Sequence, residues 1–179
     1  VQAGDYGERV QISRSGSAGL PITYLTNGSV TMMGFTIRAS YVTVSGFYVA
    51  GTPNTDYVSG YGFYVKGSYN VIENNHVYYA MRGGLALDAD KGSYGTTTNN
   101  IARNNRFERN GGVGIDCRGY NNLVEGNEIW GTIQNHPAWP LPLPGWLDAD
   151  GMHFHGSGHV FRKNYIHDIT FSDPLNEDP

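Results

Sequence analysis

A short pattern recurs five times along the chain and limits its possible folds more than any other feature. Each copy places one apolar residue near its middle and another five residues later, with polar residues between them. Phe107 and Ile129, the last residues of the third and fourth copies, are 22 residues apart. A unit this short cannot enclose a core alone, so the copies must stack on one another. The copies are YVTVSGFYV (41–49), YNVIENNHV (69–77), NNIARNNRF (99–107), NNLVEGNEI (121–129) and GHVFRKNYI (158–166).

An asparagine occupies the same place in four of the copies. The column reads Asn75, Asn105, Asn127 and Asn164, with Phe47 in the first copy. If successive copies stack at the ordinary interstrand distance of about 4.8 Å, these amides lie one above the next. Identical buried amides can hydrogen-bond along such a column, as they do in cross-β stacks. The sequence therefore predicts an internal asparagine ladder.

A second block precedes each copy and reads glycine, apolar, variable, apolar. This alternation with a period of two predicts a short strand with one buried face. Cys117, the only cysteine, falls in the inward column of these strands, so we predict a buried thiol there. The blocks are GFTI (34–37), GFYV (62–65), GLAL (84–87), GIDC (114–117) and GMHF (151–154).

Composition removes several classes of protein. The 25 glycines and 13 tyrosines are typical of a turn-rich β protein. A formal net charge of -4 does not favour a nucleic-acid partner, and no apolar run approaches the length needed to span a membrane. A single cysteine excludes an internal disulfide. Since no long amphipathic segment and no leucine-rich pattern is present, a parallel β-solenoid remains.

The repeats resemble those of the right-handed parallel β-helix proteins, the group that contains pectate lyases, chondroitinase and alginate lyases, and phage tailspikes. The opening VQAGDYGERVQI, followed by SAGLPIT, is similar to the first coil of many secreted bacterial members. No single enzyme family is matched. The resemblance implies an all-β, right-handed parallel β-helix of about five to six coils. It also implies one domain over 1–179 and a secreted, extracellular or periplasmic location. The longer spacings between some repeats indicate loop inserts at 88–98 and roughly 131–149.

Members of this group usually carry a cap helix before the first coil, and the sequence shows neither that helix nor a closing element after the fifth repeat. Bare strand edges would favour aggregation. Three explanations compete: the chain is a fragment without its N-terminal cap and C-terminal coils, the charged tail FSDPLNEDP covers the end, or the solenoid associates end to end with another chain. We favour the fragment.

Outward positions on the first strands form two predicted columns of polar side chains. Polysaccharide lyases with this fold use such a face to hold their substrate, as the resemblance implies. One column reads Thr36, Tyr64, Ala86, Asp116, His153, and the next reads Arg38, Lys66, Asp88, Arg118, His155.

Elimination at a uronate sugar needs a cation near the carboxylate, a base for the neighbouring C–H and an acid for the leaving oxygen. Lys66, Arg118, His153 and His155 are residues of the right types and are our candidate catalytic residues. Asp88 and Asp116 are candidate substrate-binding residues. The alternative is structural, because opposite charges on neighbouring strands commonly form ladders that contribute little.

The segment DADGMHFHGSGH (148–159) is the most specific in the chain. His153 and His155 alternate with apolar residues, so both imidazoles leave the same face. They are candidates for acid–base groups, for ligands of a transition metal, or for ordinary surface histidines. The nearby carboxylates suit Ca²⁺, the one cofactor that the sequence suggests, with Asp148, Asp150 and Asp116 as candidate ligands and Asp88 and Asp90 as further oxygen donors.

The insert IQNHPAWPLPLPGWLDAD (133–150) is rich in proline and carries Trp139 and Trp146. Tryptophan on a stiff loop can stack on a sugar ring, so both are candidate substrate-binding residues. The alternative is that they fold back over the flank of the solenoid.

These features lead to three hypotheses for function. The first is a secreted carbohydrate-active protein, specifically a polysaccharide lyase acting on an acidic glycan by β-elimination. The second is a non-catalytic glycan-binding, adhesin or fibre module. The third is a structural β-helix fragment that assembles end to end. Fold alone does not choose among them.

Overall fold

A computed structural model describes residues 1–54, 56–87, 96–133 and 149–169. Within these ranges all regular structure is β-strand, and every paired strand runs parallel to its neighbour. The described residues contain no helix long and apolar enough to cross a membrane. The predicted candidates Asp88, Asp90, Trp139, Trp146 and Asp148 lie outside the described residues.

Three strands make up each repeat. The first strands, which carry the blocks of glycine, apolar, variable and apolar residues, are β3 (Asn27–Ile37), β6 (Tyr61–Val65), β9 (Gly83–Leu87), β12 (Val113–Cys117) and β15 (Asp150–Phe154). The second strands are β4 (Val42–Ser45), β7 (Val71–Glu73), β10 (Ile101–Arg103), β13 (Leu123–Glu125) and β16 (Val160–Arg162). The third strands are β5 (Tyr48–Ala50), β8 (His76–Tyr78), β11 (Arg106–Glu108), β14 (Glu128–Trp130) and β17 (Tyr165–His167). β1 (Gln2–Ile12) and β2 (Ile22–Leu25) precede them.

Corresponding strands of successive repeats pair to build two sheets. The larger sheet has 11 strands in the order β15-β12-β9-β6-β3-β5-β8-β11-β14-β17, with β1 beside β3. The long strand β3 belongs to both arms of this sheet, which curls the first and third strands around the core. The smaller sheet, in the order β16-β13-β10-β7-β4-β2, holds the second strands. This is the predicted right-handed parallel β-helix.

Each coil turns at three corners, and at each corner one residue has a positive φ. This left-handed conformation lets three short strands bend around a narrow core, and asparagine and glycine adopt it at the lowest cost. The columns are Tyr41, Tyr69, Asn99, Asn121, Gly158 before the second strands; Gly46, Asn74, Asn104, Gly126, Lys163 before the third; and Gly51, Tyr79, Arg109, Gly131, Asp168 after the third.

The predicted asparagine ladder is present at the corner between the second and third strands. The backbone N–H of Asn75 donates to Asn105 Oδ1 (3.0 Å), and that of Asn105 donates to Asn127 Oδ1 (3.0 Å). The backbone N–H of Asn127 donates in turn to Asn164 Oδ1 (3.0 Å). Each side-chain NH₂ also donates to a backbone carbonyl of the preceding coil, for example Asn105 Nδ2 to Ile72 O (2.8 Å). These bonds satisfy groups that water cannot reach.

A second ladder, which the sequence analysis missed, runs along the corner before the second strands. Val42 N–H donates to Asn70 Oδ1, Asn70 N–H to Asn100 Oδ1, and Asn100 N–H to Asn122 Oδ1, all at 2.9–3.0 Å. In the last described coil a histidine takes the asparagine's place, because Asn122 N–H donates to His159 Nδ1 (3.2 Å).

Apolar side chains from all three strands fill the interior. The Phe35 ring stacks on the Phe63 ring, with the ring centroids 5.1 Å apart. It also contacts the Phe47 ring edge-on, with the centroids 5.0 Å apart. Cys117 is fully buried in the inward column, as predicted. Phe154 belongs to the same column but is 59% exposed, because β15 is an edge strand of the sheet.

Candidate functional site

The outer face of the first strands has the predicted register. Thr36 pairs with Tyr64, Tyr64 with Ala86, Ala86 with Asp116, and Asp116 with His153. The second column follows, since the N–H groups of Lys66, Arg118 and His155 donate to Ile37, Leu87 and Cys117 carbonyls of the preceding coils. The side chains of Asp116, Arg118, His153 and His155 therefore gather on neighbouring strands.

Asp116 and Arg118 form a tight ion pair on β12 and at its end. Arg118 Nε donates to both carboxylate oxygens, at 3.0 Å to Oδ1 and 3.3 Å to Oδ2. The Asp116 side chain is 3% exposed and that of Arg118 is 17% exposed. Burial alone would lower the pKa of Arg118, but the hydrogen bonds and the charge of Asp116 outweigh it and raise that pKa. The guanidinium is therefore a permanent positive charge beside a buried carboxylate.

His153, in β15, and His155, just after its end, face each other on the same side of the chain. His153 Nε2 lies 3.0 Å from His155 Nε2, and the rings are nearly perpendicular with centroids 4.5 Å apart. His153 Nδ1 is 3.9 Å from Asp116 Oδ1, and 45% of the His153 side chain is exposed. Partial burial lowers the pKa of His155, the charges of His153 and Arg118 lower it further, and Asp116 opposes them. His155 is consequently neutral near neutral pH.

His159 hydrogen-bonds to the backbone of this pair and to the neighbouring coil. Its Nδ1 accepts the Asn122 N–H, so its Nε2 carries the proton and donates to the His155 carbonyl (3.0 Å). Beneath it, burial raises the pKa of Cys117 to about 12, although a hydrogen bond from Asn122 opposes this effect. Cys117 is therefore a neutral thiol rather than a nucleophile. The sequence signal for His159 was its place one residue after Gly158, where the earlier copies have asparagine.

The segment between β5 and β6 folds over the outer face and was not expected to do so. The Tyr57 ring lies edge-on to Tyr61 (6.1 Å) and Tyr64 (6.5 Å), and Tyr64 is only 1% exposed. Arg9 holds this segment against the outer face, because its guanidinium donates hydrogen bonds to the carbonyls of Ser59 and Val58. The outer face is thus covered at β6 and accessible at His153.

Burial and charge also shift the pKa values of residues that border the covered part of the outer face. Burial lowers the pKa of Arg9 to about 10. Burial also raises the pKa of Tyr61 strongly, and the negative charge of Asp116 adds to that effect. Arg82 lies over the Tyr57 ring, with its guanidinium carbon 4.4 Å from the ring centroid. Arg82 and the Tyr57 and Tyr61 rings therefore form a cationic and aromatic cluster on the β6 side of Asp116.

Comparison with known proteins identifies the family. The family described as "Right handed beta helix region" matches residues 25–172. The chain belongs to the right-handed β-helix family. No curated protein matches this β-helix, and no solved structure matches it. Membership of this family fits a carbohydrate-active protein in general, which is the broad class that the sequence analysis expected.

The remaining described candidates occupy different parts of the β-helix. Lys66 is half-buried and lies in the column of Arg118, separated from it by the coil of β9. Asp150 is the first residue of β15, opposite Val113 of β12 and three residues before His153. The structure therefore brings together Asp116, Arg118, His153 and His155, and places Lys66 further along the same face.

The donor set determines which metal ions this β-helix can hold. Among the described residues no group of three or more His, Cys, Asp or Glu side chains is placed to hold a metal. Both oxygens of Asp116, the described Ca²⁺ candidate of this cluster, accept a hydrogen bond from Arg118 Nε. The nitrogen atoms of His153 and His155 are the donors nearest to one another.

Proposed function

We propose that this β-helix binds an acidic polysaccharide across the outer face of the first strands, from Lys66 at the end of β6 to β15, and cleaves it by β-elimination. The observation that carries the proposal is the buried Asp116–Arg118 ion pair next to the facing imidazoles of His153 and His155. Permanent cations and neutral imidazoles on one accessible face are what elimination at a uronate requires. The fold family supports the proposal only at the level of carbohydrate-active proteins.

The cations of the face would hold the sugar carboxylates. Arg118 is held by Asp116, and its remaining N–H groups offer a fixed charge at the edge of the site. Lys66 lies two coils away in the same column, roughly 9.6 Å along the stack. A chain of uronates running along the column would meet a cation at both places. A cation beside the carboxylate stabilises the negative charge that develops when the neighbouring C–H is broken.

The histidine pair would transfer the protons. A neutral imidazole takes the proton from the carbon next to the carboxylate, the electron pair of that C–H bond forms the C=C bond, and the bond to the leaving oxygen breaks. The leaving oxygen then receives a proton, which the newly formed imidazolium can supply. The His153 side chain is 45% exposed, and the lowered pKa of His155 keeps that ring in its neutral form. Asp116 would orient His153 through Nδ1.

One observation favours the alternative of a non-catalytic glycan-binding module. Arg118 has only 17% of its side chain exposed and is doubly bonded to Asp116. If that bond persists with glycan present, Lys66 is the main cation for the carboxylates and lies too far from the histidines to assist one elimination. The surface would then retain acidic glycans without cleaving them.

Ultraviolet absorbance of the unsaturated uronate product tests the proposal directly. The protein is incubated with acidic polysaccharides in parallel with neutral ones, and only the acidic ones should produce the signal. His153→Ala and His155→Ala should each reduce the rate at least 100-fold while leaving glycan retention within a few-fold, since general acid–base catalysis contributes about 10²–10⁴-fold. Lys66→Ala should weaken glycan retention.

Matched controls lie on other faces of the β-helix. His76→Ala removes a histidine paired with Glu108 on the third strands, and Lys163→Ala removes a lysine whose side chain is 78% exposed on the second-strand side. Neither change should alter the rate. Glycan retention without any absorbance signal would support the binding module. A signal that survives both site-histidine changes would remove the proposed catalytic site.

A further inference from the structure

We propose that the Nε2 atoms of His153 and His155 together bind one divalent transition-metal ion, with Asp116 as the outer carboxylate that orients His153. This inference does not rest on the glycan chemistry, because it concerns the nitrogen atoms alone and can be tested without any sugar.

The spacing of the two nitrogen atoms fits a single metal ion. His153 lies on the edge strand β15 and His155 directly follows that strand, and their Nε2 atoms are 3.0 Å apart. Two nitrogen ligands at about 2.0–2.1 Å from one metal are separated by about 2.9 Å when the angle at the metal is a right angle and by about 3.3–3.4 Å when it is tetrahedral. The observed separation is close to the right-angle value. Cu²⁺ and Ni²⁺, which favour tetragonal sites with nitrogen ligands, are the ions that fit best.

Asp116 stands where an outer-shell carboxylate is needed. Its Oδ1 faces Nδ1 of His153 at 3.9 Å, on the ring edge opposite to the nitrogen that would bind the metal. A carboxylate in this place favours the tautomer with the proton on Nδ1 and a lone pair on Nε2. Arg118 holds the carboxylate in this orientation through two hydrogen bonds. His159 fixes the backbone under the second ligand by donating to the His155 carbonyl.

Metal binding needs only a change of tautomer within the pair of rings. Across the 3.0 Å contact one Nε2 carries a proton and the other accepts it. The metal takes both Nε2 lone pairs, and the shared proton moves to Nδ1 of the ring that carried it, so no net proton is lost. The described residues supply two ligands, and water molecules complete the coordination. The ion would then occupy the lone pairs that the elimination needs and would inhibit it reversibly.

Titration of the whole chain with Cu²⁺ and with Ni²⁺, followed by calorimetry, measures the stoichiometry and the affinity. The wild type should bind one ion, and its Cu²⁺ electron paramagnetic resonance spectrum should show coupling to two imidazole nitrogens. His153→Ala and His155→Ala should each weaken binding at least tenfold. Asp116→Asn should weaken it by about 10–100-fold, the range found for outer-shell partners. His76→Ala, His136→Ala and His167→Ala are the matched controls and should leave the affinity unchanged.

The wild-type spectrum decides the question even if a variant fails to fold. Coupling to fewer than two imidazole nitrogens would overturn the proposal, as would a full-strength site in either site-histidine variant with a native circular dichroism spectrum. His155→Gln replaces His155→Ala if the alanine variant is unfolded. Loss of binding in His136→Ala with retention in His153→Ala would move the site elsewhere. Metal binding without any lyase activity would leave this proposal standing and remove the glycan-cleaving one.

Discussion

Asn104 and Asn105 are neighbours in the chain but perform different structural tasks. Asn104 has a φ of 54° and turns the chain at the corner, whereas Asn105 points inward and is 1% exposed. The corresponding pairs in the next two coils show the same division, since Gly126 precedes Asn127 and Lys163 precedes Asn164. The adjacent asparagines of the repeat are thus one turn-forming residue followed by one buried hydrogen-bonding residue.

Asn105→Ala should destabilise the fold by about 3 kcal/mol. The change leaves the buried Asn75 N–H and the Ile72 carbonyl without their partners, and each such group costs about 1–3 kcal/mol. Urea denaturation measures the effect. Asn164→Ala is the matched control, because the same ladder is only half-buried there and water can replace the lost bonds. Equal losses at the two positions would show that burial does not control the strength of the ladder.

Gly126→Ala should destabilise the protein by about 1–2 kcal/mol, since an L-residue in the left-handed conformation costs roughly that amount. The new Cβ would also lie 2.7 Å from Asn104 Oδ1 in the neighbouring coil. Thermal denaturation compares this variant with Gly7→Ala, where a Cβ meets nothing within 4 Å. The control should change stability little. A neutral result for Gly126→Ala would mean that the corner relaxes to another conformation.

Much of this fold could be predicted because its repeats place like residues in like environments. The inward asparagine column and the register of Asp116 with His153 follow from the spacing alone. The second ladder was missed because its residues stand at the start of each copy and its last member is His159 rather than asparagine. The fold over Tyr64 was missed for another reason. It depends on Arg9, whose bonds to Val58 and Ser59 join segments about 50 residues apart and leave no periodic signal.

The candidate site could be predicted only as a set of columns. Period-two alternation placed His153 and His155 on one face, but it could not give the side-chain rotamers that bring their Nε2 atoms together. It also named Arg118 a catalytic candidate, with a charge ladder along its own column as the alternative, whereas the structure pairs Arg118 with Asp116 of the neighbouring column. That pairing depends on the burial of Asp116, since a buried carboxylate requires a cation or hydrogen-bond donors nearby.

His159→Leu should destabilise the last coils by about 1–3 kcal/mol, because it leaves the buried Asn122 N–H without an acceptor. His159→Asn should retain most of the stability, since asparagine fills this position in the three preceding coils and offers an acceptor oxygen. Amide hydrogen exchange at Asn122 is the measurement. Its protection should fall in the leucine variant and persist in the asparagine variant. Similar exchange in both would show that His159 does not complete the ladder.

His155 should titrate below the ordinary histidine value of 6.5, because partial burial and the charges of His153 and Arg118 disfavour its protonated form. The unfolded chain then takes up this proton at a higher pH than the folded chain does. His155 therefore lowers the stability as the pH falls through 6.5 towards its folded pKa, and the loss is complete below that pKa.

Nuclear magnetic resonance of the imidazole signals follows the titration of His155 directly. His153→Ala should raise the midpoint of His155 by removing a charge that opposes protonation, and Asp116→Asn should lower it by removing one that favours protonation. His76→Ala, on a distant face, should leave it unchanged. A wild-type midpoint at or above 6.5 that neither change moves would mean that the two rings do not interact.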